Sequence, residues 1–277
     1  MKVNKQLVAT CAGLALSVTG AAAPAHAAIL INSGGQVYAQ NFDTLTTTAA
    51  LGQTWLNDST LSGWNLFRQP APGTALTTYG GGTGSSLTGS FFSFGALASP
   101  ERALGGLGSA GVYFGSPATG NIAGWIAAAF MNSSGLALDG FSLAFDGEQW
   151  RNGGNTSLAA QTMVFEYGFG STFSGVGSWL QPGGVFDWTS TVNTATAGLV
   201  DGNAAGLVSN RGGTINDTWN ANDTLWLRWV ERNDISNDHG LAIDNLSFTA
   251  GQAIPEPATL ALLGLGLAGL GFSRRRQ

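Results

Sequence analysis

The sequence predicts an all-β fold, an antiparallel β-sandwich or jelly roll, and three observations support this prediction. Short apolar runs separated by Gly, Asn, Asp and Pro recur along the chain, as expected for strands joined by turns. No stretch between residues 29 and 253 has the apolar periodicity of an amphipathic helix. The chain of 277 residues contains 42 Gly, but its nine Trp and 15 Phe indicate a packed core and argue against disorder.

The candidate strands follow one another along the whole domain. In 225–231 one face carries two leucines and Trp229, and the other face carries Trp226. The closing strand loses its alternation around Asp244 and Asn245, which predicts a β-bulge or a short bend there. The glycine-rich stretch at 80–86 is predicted to be a loop. The predicted strands lie at 28–31, 36–42, 64–68, 75–79, 90–94, 110–114, 122–131, 141–150, 161–168, 225–231 and 241–249.

The first 27 residues have the three parts of a secretory signal peptide. Lys2 and Lys5 give a positive start, an apolar stretch follows at 7–23, and Ala25-His26-Ala27 has the small-x-small form that signal peptidase cleaves. We expect a signal helix that is removed after Ala27. The exported β-sandwich domain then begins at residue 28 and extends to residue 252.

Charge and cysteine content exclude several functions. The only cysteine, Cys11, leaves with the signal peptide, so the exported chain has no disulfide and no thiolate metal ligand. Residues 28–253 carry fifteen acidic residues against six arginines and no lysine, a net charge of −9. Such a surface offers no basic patch for phosphates, which excludes nucleic acid as a partner. It is compatible with divalent cations and with neutral sugars.

The end of the chain, residues 254–277, does not fit a soluble domain. Residues 258–273 are uncharged and rich in Leu, Gly and Ala, so a helix there would have no polar face. Such a helix would be about 24 Å long and is predicted to be a C-terminal transmembrane helix. The positive-inside rule keeps Arg274, Arg275 and Arg276 in the cytoplasm.

The order of parts in this segment resembles the PEP-CTERM sorting signal. Pro255, Glu256 and Pro257 come first, the apolar helix follows, and the arginines end the chain. The resemblance implies recognition by exosortase, a membrane-embedded transpeptidase, and cleavage near the Pro-Glu-Pro triplet. It also implies transient anchoring in the inner membrane of a Gram-negative bacterium, followed by a place at the cell surface or outside the cell.

Three aspartates near the last predicted strand are candidate metal ligands. Asp234, Asp238 and Asp244 offer the hard oxygen atoms that Ca²⁺ prefers. The stretch at 242–247 resembles the closing strand of bacterial extracellular jelly-roll domains, and that resemblance implies a neighbouring structural Ca²⁺. The alternative is that the Asp and Asn side chains only stabilise a long turn.

Several tryptophans are candidate sugar-binding residues. Nine such rings exceed what we expect a core of this size to hold, and an exposed ring can stack on a sugar face. Because Trp226 and Trp229 lie on opposite faces of one strand, at least one is expected to point outward. Together with Trp150 they form the predicted glycan-contacting set.

Catalytic signals are weak. Asp146 and Glu148 share a face of one predicted strand, as a pair of glycosidase carboxylates would, but the third acid of laminarinase-type strands is missing. His239 is the only histidine after export, which limits proton-transfer chemistry. The sequence therefore predicts a non-catalytic surface or matrix protein that contacts exopolysaccharide with Ca²⁺ support. A lectin-like carbohydrate-binding module and a sandwich-fold glycoside hydrolase are the alternatives.

Overall fold

The computed structural model describes residues 28–255, so the predicted signal peptide and most of the sorting segment lie outside the described residues. Short 3-10 helices in this range are Val112–Phe114, Phe173–Gly175 and Gly184–Phe186. The strands are β1 (Ile29–Ile31), β2 (Val37–Gln40), β3 (Gln53–Thr54), β4 (Trp64–Arg68), β5 (Thr74–Ala75), β6 (Thr78–Gly82), β7 (Ser90–Phe94), β8 (Ala103–Leu107), β9 (Ile122–Asn132), β10 (Phe141–Asn152), β11 (Thr162–Phe169), β12 (Trp188–Thr189), β13 (Gly198–Leu199), β14 (Leu207–Ile215), β15 (Thr224–Arg232) and β16 (Gly240–Ala250).

These strands form two sheets. The first has the order β12–β11–β15–β9–β4–β5, with β1 beside β9. The second has the order β13–β10–β16–β8–β7–β6–β3, with β14 beside β10 and β2 beside β16. Among the described strands, only β1–β9 and β6–β7 pair in parallel. The prediction of an all-β, sandwich-like fold is confirmed.

Aromatic side chains from both sheets fill the space between them. Phe130 of the first sheet stacks on Phe248 of the second with ring centroids 4.1 Å apart. Phe145 of the second sheet meets Trp229 of the first edge to face at 5.5 Å. Such pairs add about 0.5–1.5 kcal/mol each to the hydrophobic gain, so this aromatic layer holds the two sheets together.

The outer faces of the sheets are also covered. On the first sheet, Trp226 and Val230 pack under Phe173 and Trp179, which come from the segment after β11. On the second sheet, Phe92, Phe94, Ala103, Leu107, Trp150 and Ala242 form a separate apolar cluster. Because loops cover the outer faces of both sheets, side chains on the two opposite faces of one strand are buried.

The structure corrects several strand predictions. Residues 110–114 contain a 3-10 helix rather than a strand. Gly80–Gly82, predicted as loop, belong to β6 and pair with β7. The predicted bulge is confirmed, because Ala144 and Asp146 of β10 face Ser247 and Asp244 of β16, with one more residue between the partners on β16.

Within residues 28–255, no helix is both long enough and apolar enough to cross a membrane.

Candidate functional site

The predicted cleavage segment begins where the sandwich domain ends. The backbone N–H of Ile254 donates to the carbonyl of Ala137 at 2.8 Å, and Pro255 is exposed. The predicted cleavage site for exosortase therefore follows directly after a residue that is bound to the domain. The other predicted sorting residues, Ala27, Glu256, Pro257, Arg274, Arg275 and Arg276, lie outside the described residues.

The predicted metal site at Asp234, Asp238 and Asp244 is wrong as a set. Asp234 and Asp238 do lie together, since the backbone N–H of Asp234 donates to Asp238 Oδ1 at 2.6 Å. Asp244, however, lies four residues inside β16, which starts at Gly240. At a rise of about 3.3 Å per residue this is ~13 Å along the strand from the loop. Its carboxylate belongs to a different cluster.

That cluster unites three carboxylates that three neighbouring strands position. Glu101 lies two residues before β8, Asp244 lies in β16, and Glu148 lies in β10. In the second sheet β16 is the central strand of the three. The three side chains offer oxygen atoms that all lie within 4.8 Å of one another. Long-range strand pairing alone brings these residues together.

Each carboxylate of this cluster is bound by the protein on one side only. Asn203 Nδ2 donates to Glu101 Oε2 at 2.6 Å, and Trp150 Nε1 donates to Glu148 Oε2 at 2.8 Å. The backbone N–H of Asn245 bonds to Asp244. The second oxygen of each group, Oε1 of both glutamates and Oδ1 of Asp244, is buried and has no hydrogen-bond partner.

Burial and mutual repulsion favour the protonated forms of two of these groups. Burial raises the pKa of Asp244 to about 8, and the charges of Glu148, Glu101 and Asp43 act in the same direction. Burial likewise raises the pKa of Glu148 to about 7, against the opposing hydrogen bond from Trp150. Without a cation, the cluster therefore retains protons near neutral pH.

The prediction that Trp150, Trp226 and Trp229 contact glycan is wrong, because all three rings are buried. Trp226 and Trp229 are 0% exposed and Trp150 is 2% exposed. Trp229 lies in the core between the sheets, whereas the other two lie under the loops on the outer faces. Of the nine tryptophans only Trp179 is partly exposed, and its ring stacks on the Arg228 guanidinium at 3.7 Å.

A polar groove of about 420 Å³ lies at one end of the sandwich. Its walls come from the segment after β8, the end of β10 and the loop before β16. The groove therefore lies at the end of the sandwich where β16 begins. The chain leaves toward Pro255 from the other end of β16. The eleven residues of this strand separate the two ends by about 33 Å. Its lining includes Leu87, Leu107, Ser109, Arg151, Asn237 and Asp238.

The pair considered for glycosidase chemistry is not arranged for it. Glu148 is 0% exposed. Asp146 accepts hydrogen bonds from the backbone of Asn210 at 2.9 Å and from Asn245 Nδ2 at 3.1 Å. His239 is 1% exposed, its Nδ1 lies 2.8 Å from Gln149 Nε2, and burial lowers its pKa. A fully buried carboxyl cannot reach a glycosidic bond, so this pair offers no site for hydrolysis.

Comparison with known proteins identifies the end of the chain. Residues 253–276 match the PEP-CTERM protein-sorting motif. The chain carries a PEP-CTERM sorting signal. This signal implies an exported protein that is processed by exosortase and sorted through a membrane anchor in a Gram-negative bacterium.

The domain itself has little similarity to characterised proteins. No curated protein matches the sequence. Among solved structures, a xylan-binding module, CBM15, covers 80% of this chain and 100% of its own length, with a TM-score of 0.30 and 11% identity. A likeness at this level carries no conclusion about the ligand of the present chain.

Proposed function

We propose that the exported domain is a non-catalytic protein of the cell surface or extracellular matrix that contacts extracellular polysaccharide. The observation that carries this proposal is the position of the polar groove. It lies at the end of the sandwich opposite Pro255, where the sorting segment begins. While the chain is anchored, this end can face away from the membrane and stay accessible.

The lining of the groove suits a polyhydroxylated ring. The Arg151 guanidinium and the Asn237 amide are donors, and Asp238 and the Ser109 hydroxyl are acceptors. Leu107 adds an apolar wall. Burial raises the pKa of Asp238 to about 7, so this carboxyl can donate or accept near neutral pH. A volume of about 420 Å³ lies within the range of small-molecule sites.

We expect a bulky residue in the groove to weaken polysaccharide binding. Ser109→Trp should lower affinity for the organism's extracellular polysaccharide at least tenfold, because the indole would occupy the space between Leu107 and Asp238. Ser247→Trp is the matched control, since Ser247 lies in a different groove beside β2. Binding is measured by affinity electrophoresis or calorimetry. Equal affinity of the wild type and Ser109→Trp for the polysaccharide would show that the groove is not its binding site.

We expect the sorting signal to be cut near the Pro-Glu-Pro triplet. Mass spectrometry of protein extracted from the cell surface should give a chain that starts at Ala28 and ends close to Pro255. Replacing Glu256 with Ala should leave the apolar tail attached and the protein in the membrane fraction. A surface-extracted wild-type chain that still ends at Gln277 would contradict processing. This test is independent of the groove.

A further inference from the structure

The centre formed by Glu101, Glu148 and Asp244 gathers three carboxyl groups whose hydrogen-bond donors are neutral. Asp43, Asp146 and Asp201 also act on its pKa values. Arg102 is the nearby cation, but its guanidinium donates to Ser93 and to the carbonyl of Gly82 rather than to a carboxylate. Burying several carboxyls without a paired cation is unfavourable, so this arrangement calls for a ligand of positive charge.

We propose that Glu101, Glu148 and Asp244 bind one Ca²⁺ ion through their three buried, unpartnered oxygen atoms. Glu148 is 0% and Asp244 is 2% exposed, so bulk solvent does not reach the free oxygens of these two groups. Each carboxylate is held by a protein donor, and one of its oxygens stays without a partner. Ca²⁺ binding at this centre is independent of polysaccharide binding in the groove.

The chemistry of the donors favours Ca²⁺ over Zn²⁺. Two oxygens bound to one Ca²⁺ ion are at most about 4.8 Å apart, which is twice the metal–oxygen distance. One carboxylate oxygen from each of the three residues lies within 4.8 Å of the other two, so one ion can contact all three residues. The centre has no sulfur or imidazole donor, which disfavours Zn²⁺. Glu101 is only half-buried, so water can complete the six to eight ligands that Ca²⁺ takes.

The ion would join parts of the chain that are distant in sequence. It would connect β8, β16 and β10 across the outer face of the second sheet. It would also fix the loop at 200–206, because Asn203 of this loop donates to Glu101. The same loop packs on Trp150, since Gly202 leaves no room for a Cβ against that ring. A bound Ca²⁺ would therefore stabilise the sheet and its covering loop together.

The test is calorimetric titration of CaCl₂ into the exported protein after removal of metal with chelator. We expect one ion per chain and a rise in the melting temperature on binding. Glu148→Gln and Asp244→Asn should each weaken Ca²⁺ binding at least tenfold. Both substitutions keep the size of the side chain, and in Glu148→Gln the new amide oxygen can still accept from Trp150. Asp234→Asn and Asp238→Asn are the matched controls and should bind Ca²⁺ like the wild type.

Two results would overturn the proposal. One is a metal-free protein whose melting temperature and heat signal do not respond to Ca²⁺. The other is loss of binding in Asp238→Asn with full binding in Glu148→Gln, which would return the site to the loop before β16. Cooperative melting of a variant in chelator shows that the variant folds. Glu148→Gln or Asp244→Asn protein that melts cooperatively but does not bind Ca²⁺ therefore supports the proposed site.

An independent readout is Tb³⁺ luminescence. Tb³⁺ bound at this site should emit on excitation of the neighbouring Trp150, and Ca²⁺ should displace Tb³⁺ and remove this emission.

Discussion

Replacing Trp229 with Ala is expected to lower the free energy of unfolding by about 3–5 kcal/mol. The ring is fully buried and lies between the two sheets. It stacks on Trp64 at 5.8 Å and meets the rings of Phe145 and Phe165 at 5.5 Å and 5.4 Å. Removing it leaves a cavity that three aromatic neighbours cannot close. Urea unfolding of the exported protein measures the loss.

Trp179→Ala is the matched control for this substitution. Trp179 is the one partly exposed tryptophan, and it covers Arg228 on the outer face of the first sheet. Its loss should cost about 1–2 kcal/mol, the range of a cation–π contact and partial burial. If Trp229→Ala unfolded like the wild type but lost polysaccharide binding, the sugar-binding interpretation of Trp229 would be right and its assignment to the core would be wrong.

The metal-free protein is expected to lose stability as the pH rises from about 5 to 8. Both Glu148 and Asp244 have a pKa in the folded state, about 7 and about 8, that exceeds the value of an unfolded chain. At any pH between the pKa of the unfolded chain and that of the folded state, the folded state holds more protons than the unfolded state. The free energy of unfolding therefore falls as the pH rises through this interval. Differential scanning calorimetry in chelator should show a melting temperature about 5–10 °C lower at pH 8 than at pH 5.

Calcium and the neutral variants serve as controls for this pH dependence. Saturating Ca²⁺ should reduce the fall, because the ion stabilises the ionised carboxylates of the centre. Burial also raises the pKa values of Glu231, Asp234 and Asp238, which lie outside the centre and keep part of the fall. The double variant Glu148→Gln/Asp244→Asn should also show a flatter profile in chelator, since it has no proton to lose there. The charged groups that face the pair are Glu101, Asp43, Asp146 and Asp201. A wild-type melting temperature that rises from pH 5 to 8 without Ca²⁺ would contradict these pKa shifts.

The alternation in β15 shows what sequence periodicity can and cannot predict. The prediction that Trp226 and Trp229 point to opposite sides is correct. The inference that one of them is exposed fails, because Phe173 and its neighbours from a loop after β11 cover the outer face. Which face a loop covers depends on contacts far along the chain, and a two-residue period contains no information about them.

Glycine explains why the sequence does not predict β8. This strand contains Gly105 and Gly106, and their low strand propensity conceals it. In the fold these glycines permit close approach, since a Cβ on Gly105 would lie 2.2 Å from the carbonyl of Leu241. A Cβ on Gly106 would lie 2.8 Å from the Glu231 carboxylate. Close approach of neighbours, rather than local propensity, determines this strand.

The carboxylate centre is only partly predictable from the sequence. The sequence points to Asp244 and to the bulge beside it. It does not point to the partners of Asp244, because Asp234 and Asp238 are near in sequence while Glu101 and Glu148 are near in space. Strand pairing places Asp146 opposite Asp244 and Glu148 opposite Ala242, so Glu148 reaches Asp244 diagonally. No local pattern distinguishes this role from catalysis. The sorting signal, in contrast, is a linear motif, and the sequence predicts it fully.

The most direct measurement is a crystal structure of the exported protein grown with millimolar CaCl₂. We expect one ion bonded to Glu101, Glu148 and Asp244 at the 2.3–2.6 Å typical of Ca²⁺–oxygen ligands, with water at the open side. An ion bound at Asp234 and Asp238 instead would contradict the proposed Ca²⁺ site. So would a metal-free centre in which the three carboxyls hydrogen-bond to one another.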